Sequence, residues 1–184
     1  GKGNTMNATG VTGPGSLPAP SVKGSASAIV SAAMSQLGVI ETNNNNLGPG
    51  IEKYWTAIPG GGYGQAWCAA FVCWCVRESG MLDEAHRPKT AGAFNLETDW
   101  AASNPSVVQI IRNPRSVQPG DICIFSWASG QGHATIVKES TPTGFTTIEG
   151  NTQTGPTEGV FVKNRNFTNV RSILRIKAPT ITTA

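Results

Sequence analysis

The chain has 184 residues, a size that suits one domain plus a tail and can support a core without disulfide or metal staples. Hydrophobic residues make up 39% and charged residues 14%, a globular composition rather than a disordered one. The net charge of +3 is mild, and Lys and Arg are scattered with no basic stripe between aromatics, so nucleic acid is excluded as the expected partner.

No apolar run reaches the ~18–20 residues of a membrane span, and no basic-then-apolar leader opens the chain. The first residue is Gly rather than Met, as in a domain cut from a longer polypeptide. Residues 1–24 are rich in Gly, Thr, Asn, Ser and Pro and read as a flexible linker or tail.

From Ser25 an Ala-rich amphipathic pattern (Ala28, Ile29, Ala32, Ala33, Leu37) predicts a helix that Gly38 would cap. The Asn43–Asn46 run and Leu47-Gly48-Pro49-Gly50 predict a solvated loop, followed by a short helical turn from Ile51 to Trp55. A permissive loop, Pro59 to Gly64, leads into Trp67-Cys68-Ala69-Ala70-Phe71-Val72-Cys73-Trp74-Cys75-Val76. This run continues to Glu78 and stops at Ser79-Gly80. Its length predicts a helix, and its lack of a polar face predicts a buried one. Thr90 to Ala102 reads as a further helix with Thr90 as N-cap.

After Asn104-Pro105 the pattern changes to short β-branched strands: 121–127, 133–139, 145–149, 159–164 and 170–176. Helices followed by strands with hairpin-length connections predict an α+β domain with a central antiparallel sheet and the N-terminal helices packed on it. The domain is expected over 25–178, with 179–184 as a C-terminal tail.

The chemistry centres on cysteine and histidine. Of the four cysteines, Cys73 and Cys75 sit two apart on the buried helix and cannot bridge each other. A bond from either to Cys123 is left open. The spacing lacks the paired Cys-x2-Cys knuckles of a structural zinc site, so no metal is expected. Cys68 stands at the first turn of the buried helix, where unpaired N–H groups and the helix dipole favour a thiolate. His86 lies in a polar loop and is expected to be exposed. His133 opens a strand and could face Cys68 as its base. Glu149 or Asn151, at the end of the following strand, could accept the far imidazole N–H and orient the ring. Cys73, Cys75 and Cys123 read as core residues, and Pro119-Gly120-Asp121 as a structural turn.

These residues resemble a family. Trp67-Cys68-Ala69-Ala70-Phe71-Val72, Gln118-Pro119-Gly120-Asp121-Ile122, Gly132-His133-Ala134 and Ile148-Glu149-Gly150-Asn151-Thr152 are similar, in order, to the CHAP domain of the NlpC/P60 papain-like hydrolases. The resemblance spans roughly residues 26–177. It implies a papain-like fold, Cys68 as nucleophile, His133 as base, and Glu149 and Asn151 completing the catalytic set. It also implies an amidase or endopeptidase of bacterial peptidoglycan, with no cofactor, acting in the cell wall or periplasm. Alternatives are an amidase of a small conjugate such as glutathionylspermidine and an inactive wall-binding module.

Many relatives carry Gln directly before the nucleophile; Trp67 stands there in this chain. The oxyanion donors are therefore expected to be the Cys68 backbone N–H and a side chain, Gln65 or Tyr63. Trp67 and Trp127 are placed along the substrate groove. The 42–66 segment lacks the acidic cluster with which some phage relatives bind calcium. A monomer is expected. Phage lysins, autolysins and delivered toxins share this domain, and a toxin would call for an immunity or inhibitor protein as partner.

Overall fold

The computed structural model describes residues 16–18, 25–177 and 181–183. The first helix, α1 (Ala26–Met34), buries Ile29 and Ala33, one turn apart on the same face. It ends before Gly38, which sits in the turn that follows with φ +88° and donates its N–H to Val160 O at 3.1 Å. Gly38 therefore serves the crossing to the sheet rather than the helix end. A 3-10 turn over Glu52–Ala57 then carries Tyr54 and Trp55 into the core.

The central helix, α2 (Cys68–Ser79), is buried at every residue from Cys68 to Val76, as its lack of a polar face predicts. Gly80 ends it in a left-handed conformation, φ +70°, at a position where a Cβ would be strained. The third helical segment differs from expectation. Gly92, not Thr90, is the N-cap of the short α3 (Ala93–Asn95), which widens into a π-helical turn over Leu96–Ala101. The Thr90 hydroxyl accepts the Gly92 N–H at 3.2 Å, so it forms a local turn two residues before the helix begins.

The strands are β1 (Ser16–Pro18), β2 (Val108–Ile111), β3 (Ile122–Ser126), β4 (Gly132–Thr141), β5 (Gly144–Thr154), β6 (Thr157–Arg165), β7 (Val170–Ile176) and β8 (Ile181–Thr183). Six of them form one antiparallel sheet in the order β2-β7-β3-β4-β5-β6. β2 is additional to the predicted strands. The β1 strand falls in the segment predicted as linker and pairs with β8; the rest of 1–24 lies outside the described residues.

Strand alternation divides the core in two. Ile122, Ile124, Ala134, Ile136 and Ile148 pack with α1 and α2. Cys123, Phe125, Val137, Phe145 and Ile173 form a smaller cluster with Trp127 and Phe167 packed against it. The result is α+β, with helices packed on an antiparallel sheet. Two features bring α2 close to β5. Gly150 lies against Phe71 and Trp67, where an added Cβ would come within 2.7 and 2.8 Å of them. Next to it the β5–β6 register shifts between Glu149 and Thr152, and Asn151 adopts φ +55°.

Candidate active site

Cys68 is the first residue of α2, and the first helical N–H groups have no partner within the helix. The Ala69 and Ala134 N–H groups both reach its sulfur, and so does the His133 ring. His133, near the start of β4, is buried, and its Nε2 lies 2.9 Å from Glu149 Oε1. With Nε2 committed to the carboxylate, Nδ1 is the nitrogen that meets the thiol.

Glu149 is fully buried and saturated with donors. Arg165 grips it through Nε (2.8 Å to Oε2) and Nη2 (2.6 Å to Oε1). The Thr147 hydroxyl donates to Oε2 at 2.6 Å and the Thr152 hydroxyl to Oε1 at 3.1 Å. Arg165 in turn lies over the Phe125 ring, 5.1 Å from its centroid.

These contacts set the charges. Burial alone would raise the Cys68 pKa, but the hydrogen bond and charge of His133 and the two backbone N–H groups outweigh it, so the net shift is downward. Burial would lower the His133 pKa, yet the Cys68 and Glu149 contacts raise it to about 9. Glu149 pays a desolvation penalty that His133 and Arg165 overcome, holding it well below the ordinary carboxylate range. The arrangement favours a thiolate–imidazolium pair steadied by a carboxylate, which is a nucleophile and a proton donor held in reach of each other.

Asn151 occupies a different place from Glu149. With its amide oriented to suit both neighbours, Nδ2 lies 3.0 Å from Glu41 Oε2 and Oδ1 lies 3.2 Å from Trp67 N. It therefore ties the residue before Cys68 to β5 and is not set against the imidazole. Glu41, which no sequence pattern singled out, is buried. It accepts the Trp67 indole N–H at 2.8 Å and the Asn46 N–H at 2.7 Å.

Two groove assignments are corrected. Trp67 is fully buried, stacked on Tyr54 with ring centroids 5.5 Å apart, and its indole N–H is taken by Glu41. It is a core residue. The Tyr63 hydroxyl accepts the Gly48 N–H at 2.7 Å and faces Gly48 O at 3.2 Å, so it clasps a loop and is not free to serve as an oxyanion donor. Gln65 is exposed, and its side chain has no protein partner among the described residues. Trp127 is half-buried, with its ring centroid 6.0 Å from that of His133.

His86 is half-buried rather than exposed, with Nδ1 2.6 Å from Asp83 Oδ1. All four cysteines are free and buried, so neither Cys73 nor Cys75 is bonded to Cys123. Burial pushes the Cys73 thiol up to about 12, and it raises those of Cys75 and Cys123 as well. Among the described residues, no group of three or more His, Cys, Asp or Glu side chains is arranged to hold a metal ion. Arg165 was missed in the sequence; its only signal is a cation on a strand, and the register sets it opposite Phe145, from where its side chain reaches along the sheet to Glu149.

Comparison with known proteins agrees with this fold. One solved structure, described as the crystal structure of a wild-type endolysin, LysIME-EF1, matches with a TM-score of 0.57 at 15% identity. The match covers 84% of this chain and 65% of that one. A second, the crystal structure of Ly7917, matches with a TM-score of 0.50 at 16% identity, covering 83% of this chain and 63% of that one. The chain thus spans just under two thirds of either neighbour. No curated protein matches. The family model described as CHAP domain matches residues 59–151, half of the chain and the stretch that holds Cys68, His133, Glu149 and Asn151. The chain belongs to the CHAP domain family.

Proposed function

We propose that this chain hydrolyses amide bonds in bacterial peptidoglycan, as an N-acetylmuramoyl-L-alanine amidase or a peptidoglycan endopeptidase, through a thioester on Cys68. The observation that carries the reading is the linked set Cys68–His133–Glu149–Arg165, a buried thiol turned nucleophilic at one end of a charge relay. Family membership and an endolysin among the structural neighbours support the choice of polymer.

The thiolate of Cys68 attacks the carbonyl carbon, and the carbonyl π electrons move to oxygen. The Cys68 backbone N–H, with Gln65 as side-chain partner, stabilises that oxyanion. His133 Nδ1 then gives its proton to the departing amine as the C–N bond breaks, leaving the acyl group on sulfur. Water enters, His133 takes one of its protons, and collapse of the second tetrahedral intermediate releases the acid and restores the pair. Glu149 holds the imidazole in its working tautomer, and Arg165 holds Glu149. Asn151 and Glu41 fix the turn before Cys68. No step uses a cofactor. The catalytic unit runs from 25 to 178, and it works where peptidoglycan is, in the cell wall or periplasm.

Clearing of a purified wall suspension by the wild-type chain, and not by Cys68→Ala, is the expected result. Clearing by both would remove Cys68 from the mechanism. Hydrolysis of soluble glutathionylspermidine with walls left intact would replace the substrate. Retention on walls by both proteins with no hydrolysis would make the chain a binding module.

A further inference from the structure

Beyond the Cys68 thiol, one cavity touches the charge relay from its other side. It has a volume of about 260 Å³ and lies at the end of β6, lined by Trp127, Asn164, Arg165, Asn166, Thr168 and Asn169 above Phe125. Trp127 links it to the reaction centre, since the same ring lies 6.0 Å from His133. Arg165 links it a second time through its two bonds to Glu149.

The chemistry of the lining is one-sided. Arg165 uses Nε and Nη2 on Glu149, which leaves Nη1 without a protein partner among the described residues. Asn164, the residue before it, projects its side chain from the opposite face of β6, so it borders the cavity through its backbone. Asn166 commits only its Oδ1, which accepts the Thr168 N–H at 2.9 Å, so its amide N–H groups remain available. Asn169 holds the rim in a left-handed turn, φ +66°, with its carbonyl bonded to the Ser126 N–H. No Asp or Glu lines the cavity. The nearest, Glu149, lies behind Arg165 with its charge met by Arg165 and His133. Among the free side-chain groups named, donors outnumber acceptors around an open cleft of small-group size, and the best match to a guanidinium edge beside an amide N–H group is a carboxylate.

From this donor-rich cleft beside Trp127 we infer a carboxylate-binding subsite, formed by Arg165 Nη1 and Asn166, that seats an acidic group of the stem peptide while the scissile amide lies on Cys68. This deepens the peptidoglycan reading and rests on it. It gives Arg165 two faces, one holding the positioning carboxylate of the enzyme and the other the substrate. It also predicts that amidation of one stem-peptide carboxyl, a variation among bacterial walls, weakens binding.

The test uses the full chain carrying Cys68→Ala, so that binding is read without turnover. The ligands are N-acetylmuramoyl tetrapeptides with every carboxylate free, or with one at a time converted to the carboxamide. Titration calorimetry is expected to show one position at which the carboxylate binds about tenfold more tightly than the carboxamide, the scale of one charge-assisted hydrogen bond. Asn166→Asp keeps the acceptor that caps Thr168 but adds a negative charge, and it should abolish that preference.

Equal affinity for acid and amide at every position overturns the subsite, as does a preference that Asn166→Asp retains. Chemical-shift changes at Asn164 and Asn166 on adding a peptide-free wall disaccharide, with none on adding the peptide, would reassign the cavity to sugar. The parent reading is tested separately by the wild-type chain on intact walls. Hydrolysis there without the carboxylate preference removes only the subsite. The preference without hydrolysis supports the subsite and removes the hydrolase.

Discussion

At Cys68 two opposing effects meet: burial that penalises the thiolate, and a charged His133 with two backbone N–H groups that favour it, the second set being the larger. The other three cysteines have the burial without sufficient compensation. Iodoacetamide near neutral pH should therefore modify Cys68 alone in the native chain, with Cys73, Cys75 and Cys123 labelled only after unfolding; peptide mapping reads this directly. The pH dependence follows from the same shifts. The reactive pair exists once Cys68 has lost its proton, below the ordinary thiol range, and lasts until His133 loses its own near pH 9. The kcat/KM profile should thus be bell-shaped with its alkaline limb near 9.

Glu149→Gln removes the charge that raises the His133 pKa, so that limb should move toward the ordinary histidine range and kcat should fall by roughly 10²-fold or more. An unmoved alkaline limb would show that Glu149 does not set the imidazole. Arg165→Ala leaves a buried carboxylate short of a partner, and chemical denaturation should register a loss on the order of 3 kcal/mol. At this scale, the readable signals were residues whose chemistry is scarce in the chain. Cys68 stood out because it opens an apolar helix, and His133 because the chain has two histidines. Arg165 and Glu41 were hidden because a charge on a strand or in a loop usually faces water. Only the pairing of β5 with β6 brings Arg165 to Glu149, and only the fold brings Asn46, Trp67 and Asn151 together around Glu41.

At the scale of elements, α2 was legible from end to end because its burial on every side left no polar face in the sequence and Gly80 supplied a left-handed stop. The N-terminus of the third helix was not legible, because Thr90 caps a turn as well as it would cap a helix, and Gly92 competes with it. β2 went unread although Val107, Val108, Ile110 and Ile111 carry a strand signal. Its pairing partner is the distant β7, so no hairpin marks it. The contact of α2 with β5 depends on a missing side chain at Gly150. Gly150→Ala should force Phe71 and Trp67 apart, lowering stability by about 1–3 kcal/mol and slowing turnover through Cys68. A melting temperature equal to wild type would mean that the two elements have room to spare.

Across the whole molecule, the α+β class and its antiparallel sheet could be read from the order of helices and strands, since that order leaves few ways to cover both faces. Which tryptophans face the groove could not be read. Trp67 and Trp127 are both adjacent to active-site elements, yet the register of their elements sends one into the core and leaves the other half-exposed. Among the described residues, both core clusters fall between Ile29 and Ile176. A chain cut to 25–177 should therefore unfold cooperatively, with a melting temperature close to that of the full chain. A broad or absent transition would show that the flanking segments, including the β1–β8 pair, are needed for folding.

The most direct test of the central claim is mass spectrometry of the soluble fragments that the wild-type chain and Cys68→Ala release from purified peptidoglycan. Fragments from the wild type alone are predicted, with new amino and carboxyl termini that name the amide bond cleaved. Fragments from both proteins, or from neither across walls of several chemotypes, would contradict hydrolysis of peptidoglycan at Cys68.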